Sequence, residues 1–428
     1  MVWGMESRSS DTNAGLHYDL RLEIDPPTRK ISVSGTVAYH APQGPLERAR
    51  FFLHSQFVIR SISGRRVTGY NFQNATEKVA PYAPQAGLLD IYFDPPLRKN
   101  ETTLISLDYD GQITAWPAES ANQITADWAE LGMYLPWYPM QWDSTPSDLT
   151  FTLKVYCPPD FTVASYGPAI NADGGYAFEW GHTTNDIVVA VGRDMQTRTY
   201  ESDTNRVYVA SGSFGETTSA RLGENLLWTL ERFSGWFGPT RPADFTLIES
   251  PRSLGGGYAR RGLVVLGGLN ERDYLEQQEA YLRYLAHEVA HAWWWDAPTD
   301  TWEDWLNESF AEYSALLAVR ERFGEETFMN FLERKAERIN GVSPMWGFER
   351  SDTTTPEKQA TVDRLLYDKG PLLLHDLAVR IGHQRFLELC RARLWSGVTS
   401  TAHMLDLVEE LESKEVRAWL EESLKPEE

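Results

Sequence analysis

The sequence predicts an α+β protein that consists of an N-terminal antiparallel β-sandwich-like domain followed by a mainly helical domain. About the first 200 residues alternate apolar and polar side chains with a period of two, between turns rich in Gly, Pro, Asn and Asp. The residues after them mostly show apolar spacings of three and four, which are typical of helices. A chain of 428 residues is also too long for one compact core. We therefore predict two domains, at residues 1–200 and 201–428.

The strands of the first domain are predicted from alternation and turn punctuation. In HYDLRLEID the side chains of Leu20, Leu22 and Ile24 share one face, and DPPTRK after it is a turn. Further strands are predicted in KISVSGTVAYH, TTLISLDYDG, DLTFTLKVYCPPDF and NDIVVAVGRD. Helical spacing is absent from this part of the chain, so we expect two packed antiparallel sheets.

The second domain begins with one more strand, RVYVAS, and a helix in ARLGENLLWTLERFSGWFG that ends at Gly238. Two short strands, TLIES and GLVVLGG, precede a long helical region. There we predict a single helix from Asn270 to Trp295, and a second one between Thr301 and Gly324. The buried face of the first helix is predicted to carry Leu275, Leu282, Leu285, Val289 and Trp293.

The composition excludes several classes of partner. The net charge is −21, and such an acidic protein repels nucleic acid and anionic membranes. No basic and apolar leader is visible at the start, and no apolar run is long enough to span a bilayer. Cys157 and Cys390 form neither a disulfide framework nor a zinc site, so we predict reduced thiols and a cytoplasmic location.

A metal site is predicted in LAHEVAHAWWWDAPTD. His287 and His291 lie one helical turn apart and can share a tetrahedral metal ion. Glu288 between them could take a proton from metal-bound water. The alternative is a core helix whose histidines are only hydrogen-bonded.

The following segment, TWEDWLNESFAEYSALLAVRERFG, favours the metal site. A zinc peptidase needs three protein ligands and an open position. On this second helix Glu308 can supply the third ligand, and Glu312, one turn later, can accept the free ring N–H of a ligand histidine. The alternative for Glu308 alone is a solvated surface carboxylate.

HEVAHAWW followed by WLNESFAEY resembles the gluzincin aminopeptidases, the family of aminopeptidase N and leukotriene hydrolase. RLLYDKGPLLLHDL is similar to the family's YxKGxxxLxxL, and WYPMQWDSTPSDLTFTLKVYCP is similar to a block of its β domain. The resemblance implies a thermolysin-like second domain and a zinc metallopeptidase that binds one zinc ion and cleaves peptides, as an aminopeptidase. It also implies that Tyr367 stabilises the tetrahedral intermediate.

The chain departs from the family in three places. Sixteen residues separate His291 from Glu308, where the family has eighteen. In PRSLGGGYARRGLVVL, Ala259 stands where the family's GAMENWGLI has the glutamate that binds the substrate's α-ammonium. The helical domain that covers the cleft in large members has no counterpart before Glu428, so a more open cleft is expected.

The glycines before Ala259 could still bind substrate. Gly255, Gly256 and Gly257 could pair with a substrate backbone, because they allow close approach, or they could simply form a turn. A carboxylate from the β domain, Glu130 or Asp143, could partly replace the missing glutamate.

The loss of that glutamate leaves other functions open. An endopeptidase or another end-specificity is the first alternative, and an inactive binding scaffold is the second. The three tryptophans after His291 are predicted to pack in the core, and His375 and His383 are not predicted to be ligands.

Overall fold

The computed structural model describes residues 15–74, 83–117, 120–141, 148–240, 242–253, 256–350 and 355–425. Fifteen strands precede residue 195 in the described part of the chain. They are β1 (Leu16–Asp25), β2 (Lys30–His40), β3 (Leu46–His54), β4 (Phe57–Ser63), β5 (Val67–Asn74), β6 (Ala86–Leu97), β7 (Thr102–Gln112), β8 (Gln123–Ile124), β9 (Trp128–Leu131), β10 (Met140–Gln141), β11 (Leu149–Tyr156), β12 (Thr162–Ala164), β13 (Ile170–Ala172), β14 (Gly175–Thr184) and β15 (Val189–Gly192).

These strands form three sheets, not the two that we expected. A seven-stranded sheet has the order β13-β14-β11-β1-β2-β7-β4, and two four-stranded sheets have the orders β10-β3-β6-β5 and β12-β15-β9-β8. The pairing is antiparallel as predicted, except that β1 and β11 run parallel. Alternation identifies strands but not their distant neighbours, so this pairing could not be predicted.

The predicted face of β1 is confirmed. Leu20, Leu22 and Ile24 are buried, and the residues between them are exposed. Opposite Leu20, strand β2 carries Gly35 with a φ of 150°. A Cβ atom at Gly35 would lie 2.1 Å from the carbonyl oxygen of Asp19, so this position requires glycine.

The second part of the chain combines one mixed sheet with helices. The sheet contains β16 (Gln196–Glu201), β17 (Arg206–Ser211), β18 (Asp244–Glu249), β19 (Gly256–Arg260) and β20 (Leu263–Gly267), in the order β16-β17-β18-β20-β19. The helices are α1 (Glu216–Phe237), α2 (Glu271–Glu276), α3 (Gln278–Ala290), α4 (Trp305–Phe323), α5 (Glu325–Arg338), α6 (Pro356–Asp363), α7 (Gly370–Ile381), α8 (His383–Ser396), α9 (Thr401–Leu411) and α10 (Lys414–Leu424).

The prediction of one helix from Asn270 to Trp295 is wrong. Asn270 does cap α2, but the helix is interrupted at Gln277, whose φ and ψ are −127° and 48°, and α3 ends at Ala290. Leu275 is therefore 42% exposed, although we predicted it to be buried. No proline or glycine marks this interruption in the sequence. The predicted helix ends at Gly238 and Gly324 are confirmed.

The mixed sheet lies between two hydrophobic cores. One face, with Ala210, Ile248 and Val265, packs against the core of the first three sheets. The opposite face, with Val209, Leu247 and Val264, packs against the helices. We propose that the domain boundary lies close to residue 200, because β16 already pairs with β17 of this sheet.

Among the described residues, no helix combines the length and the apolar character needed to cross a bilayer.

Candidate metal and catalytic site

Two packed helices bring three predicted ligands together. α3 buries Leu285 and Val289 in the second core, which turns His287 toward α4. His291 follows as the C-terminal cap of α3. Glu308 lies in the first turn of α4. Among the described residues these three side chains are the only group of His, Cys, Asp and Glu whose ligand atoms all lie within 4.8 Å of one another.

The distances from the Glu308 carboxylate to the two imidazoles fit a single zinc ion. Glu308 Oε2 lies 3.3 Å from His287 Nε2 and 3.5 Å from His291 Nε2. Ligands about 2.0–2.1 Å from a tetrahedral ion are separated by about 3.3 Å. Two imidazoles and one carboxylate also form a donor set that zinc uses in peptidases. The residues present therefore fit zinc.

The other ring nitrogen of each histidine has its own partner. His287 Nδ1 lies 3.0 Å from Glu312 Oε2, and His291 Nδ1 lies 2.8 Å from the carbonyl oxygen of Trp294. Both acceptors fix Nδ1 as the protonated nitrogen, which leaves the Nε2 lone pair free for a metal. Burial lowers the pKa of His287, but hydrogen bonds to Glu308 and Glu312 outweigh it and raise the pKa to about 10. The carboxylates around this imidazole therefore favour positive charge at the site, either a proton on Nε2 or a metal ion that replaces it.

Glu312 is itself fixed by two cations. Arg283 Nη1 lies 2.6 and 2.7 Å from its two oxygens, and Lys335 Nζ lies 2.6 Å from Oε1. Burial would raise the pKa of Glu312, but Arg283, Lys335 and His287 hold the pKa well below its ordinary value. Glu312 thus stays ionised and can orient His287. Sequence reasoning missed both cations, because they lie far from Glu312 along the chain.

Asn307 holds the loop between α3 and α4, which ends just before Glu308. Its amide nitrogen donates to the carbonyl oxygen of Ala297 at 2.9 Å, and its amide oxygen accepts from the N–H of Ala297 at 3.1 Å. These two hydrogen bonds attach the loop after α3 to Asn307, the residue before Glu308. Asp304, which also accepts from Asn307, pairs with Arg350 at 2.8 Å. The WLN sequence before Glu308 was the signal that could have identified Asn307.

Glu288 is buried beside the glycine-rich strand β19. A Cβ atom at Gly257 would lie 2.7 Å from Glu288 Oε1, so any other residue there would displace the Glu288 carboxylate. Burial raises the pKa of Glu288, and the nearby charge of Glu308 raises it further. His287 and His291 act in the opposite direction but do not cancel the effect of burial. A raised pKa suits a group that must accept and release a proton near neutral pH.

Tyr367 lies against His287, with 5.6 Å between ring centroids. It belongs to a π-helical turn, Arg364–Lys369, that contacts α4. Burial, with the charge of Glu308 adding to it, raises the pKa of Tyr367 well above its ordinary value. The phenol therefore stays protonated and can donate a hydrogen bond.

The predicted substrate-binding residues are only partly described. Gly256 and Gly257 lie in β19, which pairs with β20 and forms the edge of its sheet. Gly255 and Asp143 lie outside the described residues. Ala259 is partly buried against the second core.

Glu130 is buried, with no exposed surface. Its oxygens accept hydrogen bonds from Ser250, from Tyr258 at 3.0 Å and from Asn122 at 3.4 Å. The guanidinium of Arg252 lies 3.9 Å away. Burial raises the pKa of Glu130, although Arg252 opposes the shift. In this conformation Glu130 ties the β domain to β19 and offers no free oxygen to a substrate.

The tryptophans after His291 divide into two groups. Trp293 and Trp294 are buried in the second core, as predicted. Trp295 is 40% exposed and lies under the guanidinium of Arg261, 3.6 Å from the ring centroid, so its assignment to the core is wrong. The indole N–H of Trp294 donates to Ser314 of α4 at 2.9 Å. This contact joins the end of α3 to α4.

Comparison with known proteins agrees with this arrangement. Residues 265–423 match the profile of the peptidase family M1 domain. Aminopeptidase M1-B of Oryza sativa subsp. japonica is 26% identical over 241 residues, which cover 53% of this chain and 27% of that protein. Aminopeptidase N of Streptomyces lividans is 28% identical over 146 residues, which cover 32% of this chain and 17% of that protein. The matched regions thus span about a quarter or less of these relatives.

The fold is also found in a solved structure of similar length. The M1 zinc metallopeptidase of Deinococcus radiodurans, in a mutant bound to a Tyr-Ser-Ala substrate, superposes with a TM-score of 0.72 at 20% identity. The alignment covers 96% of this chain and 94% of that one. The chain thus has the fold of that metallopeptidase, and its residues 265–423 are similar to the peptidase family M1 domain.

Proposed function

We propose that this protein is a zinc-dependent metallopeptidase that acts as an aminopeptidase and removes N-terminal residues from peptides. The observation that carries the proposal is the convergence of His287, His291 and Glu308 within 4.8 Å, next to the buried Glu288. The names of the relatives, all aminopeptidases or zinc metallopeptidases, support the same reaction class.

Each residue has one role in the proposed reaction. Zinc would be held by His287 Nε2, His291 Nε2 and the Glu308 carboxylate, and it supplies the Lewis acidity that makes water a nucleophile near neutral pH. Glu288 takes the proton of the attacking water and delivers it to the departing amine. Tyr367 donates a hydrogen bond to the oxyanion that develops on the scissile carbonyl. Gly256 and Gly257 leave the edge of β19 free to pair with the substrate backbone.

Removal of the metal tests the proposal directly. The purified protein is expected to contain one zinc ion per chain and to cleave a peptide library from the N-terminus. A chelator should abolish cleavage, and added zinc should restore it, because the Glu288 base has no activated water without the ion. Product masses and metal analysis measure both effects. Cleavage that persists in the zinc-free protein would contradict the proposal, and a folded protein that binds no zinc would favour the binding scaffold.

Replacement of Tyr367 by phenylalanine is expected to lower kcat by about 10²–10³-fold with a modest change in KM. The phenol contacts the oxyanion only as it forms, and the loss of one such donor typically costs this much. Steady-state kinetics of a peptide substrate measure the effect. An increase in KM at unchanged kcat would assign Tyr367 to ground-state binding instead.

An endopeptidase, or another end-specificity, is the second candidate, and two observations favour it. Ala259 carries no charge for an α-ammonium, and Glu130 has no exposed oxygen. Cleavage of free-amine and N-acetylated versions of one peptide distinguishes this candidate from an aminopeptidase.

The role of the β-domain carboxylates is tested by replacing Glu130 and Asp143 together with alanine. If one of them faces a bound substrate, the ratio of kcat/KM for free-amine to N-acetylated substrate should fall by about tenfold or more, the value of one charged hydrogen bond. A structural role would lower both rates equally. An unchanged ratio would therefore rule out amine recognition by these residues.

A further inference from the structure

The turn that carries Tyr367 leaves two carbonyl groups, those of Leu366 and Tyr367, without the backbone donor four residues later that an α-helix normally supplies. In its π-helical geometry the N–H of Gly370 bonds to the carbonyl of Leu365, five residues earlier. The next residue, Pro371, has no N–H, so it can serve neither Leu366 nor Tyr367. Buried carbonyl groups without a donor are costly.

Side chains from two other helices supply the donors. Ser309 Oγ, on α4, donates to the carbonyl oxygen of Leu366 at 2.7 Å. Lys335 Nζ, on α5, donates to the carbonyl oxygen of Tyr367 at 2.6 Å. The Tyr367 turn is thus fixed from outside its own helix.

Lys335 also contacts the carboxylate behind the metal site. The same Nζ lies 2.6 Å from Glu312 Oε1, and Glu312 Oε2 lies 3.0 Å from His287 Nδ1. The Lys335 side chain is 9% exposed, and its ammonium is shared between these two acceptors, with Asp368 3.7 Å away. One buried cation therefore joins the backbone of Tyr367 to the group that orients His287.

We propose that Lys335 is a positioning residue that sets the place of the Tyr367 phenol relative to the metal-binding histidine. The inference rests on the proposed function, in which Tyr367 stabilises the oxyanion. An oxyanion donor must lie within a few tenths of an ångström of its acceptor, and a displacement of about 1 Å can cost 10²-fold in rate. Because Pro371 has no N–H, the carbonyl of Tyr367 needs a side-chain donor, which is Lys335. The contact with Glu312 fixes the position of the Lys335 ammonium.

Arg283 provides a matched control. It contacts the same carboxylate as Lys335, at 2.6 Å, and it carries the same charge. Its described hydrogen bonds go to Glu312 and none to the Tyr367 turn. Removal of either residue therefore takes one positive charge away from Glu312, but only the loss of Lys335 releases the carbonyl of Tyr367.

The test compares Lys335→Met with Arg283→Met, each alone and each combined with Tyr367→Phe, in the full chain. Zinc affinity, measured by competition with a chelator, should fall in both single variants by a similar factor of about 10–100, because both weaken the hold of Glu312 on His287. At saturating zinc, Lys335→Met should lower kcat by about tenfold or more beyond any loss in Arg283→Met. In the Tyr367→Phe background, Lys335→Met should lower kcat by less than about twofold, since the phenol that it positions is already gone.

Two results would overturn the inference. One is an equal loss of kcat in Arg283→Met and Lys335→Met at saturating zinc. The other is a loss of kcat on Lys335→Met replacement that has the same factor in the parent protein and in the Tyr367→Phe background. If Lys335→Met does not fold, as judged by circular dichroism, Lys335→Gln replaces it, because glutamine is too short to reach both acceptors. Absence of any zinc-dependent hydrolysis in the parent protein would refute the proposed function instead.

Discussion

Replacement of Glu288 by alanine is expected to leave one zinc ion per chain and to lower kcat by about 10²–10⁴-fold, the usual contribution of a general base. Glu288 is not among the three groups that converge on the proposed metal position, so zinc should remain. Its buried carboxylate nevertheless lies beside β19, where the substrate backbone is proposed to bind. Metal analysis and steady-state kinetics on the same preparation separate the two effects.

The matched control for this variant is Glu276→Ala, which removes an exposed glutamate of α2. It should keep both zinc and turnover. Full hydrolysis by pure Glu288→Ala protein would overturn the assignment of the base, whereas loss of zinc in that variant would show that Glu288 supports the metal site instead.

Replacement of His291 by alanine is expected to remove both zinc and turnover. His291 offers one of the three proposed ligand atoms, and its Nε2 lies 3.5 Å from Glu308 Oε2. Loss of a ligand should lower zinc affinity by more than the roughly 10–100-fold that is typical for its hydrogen-bonding partners. Competition with a chelator measures the affinity, and turnover should recover only in part at high zinc concentration.

His383→Ala is the control for the metal variant, because His383 is exposed at the start of α8 and does not belong to the converging group. Its zinc affinity should equal that of the parent protein. Normal zinc binding by His291→Ala would falsify the proposed ligand set and leave the function without its central observation.

The sequence was most informative where chemistry depends on near neighbours along the chain. His287, Glu288 and His291 follow from one helical turn, and the two glutamates of α4 follow from another. Whether the two helices meet depends on packing, and the WLN motif before Glu308 was the best local signal, because Asn307 holds the intervening loop.

The contacts that could not be predicted join distant segments. Arg283 and Lys335 reach Glu312 from 29 and 23 positions away, and no spacing rule links them. The interruption at Gln277 has no proline or glycine to mark it. The burial of Glu130 depends on Ser250 and Tyr258, which belong to the second part of the chain. In each case the deciding partner is tertiary rather than local.

The contact between His291 and the backbone of Trp294 bears on how the enzyme would be inactivated by heat. His291 is oriented by the backbone of Trp294, which is completely buried and bonded to Ser314. The segment that carries the second imidazole is therefore anchored in the hydrophobic interior rather than in a surface loop. Local fraying cannot release that imidazole while the interior stays intact, so thermal inactivation and global melting should occur together.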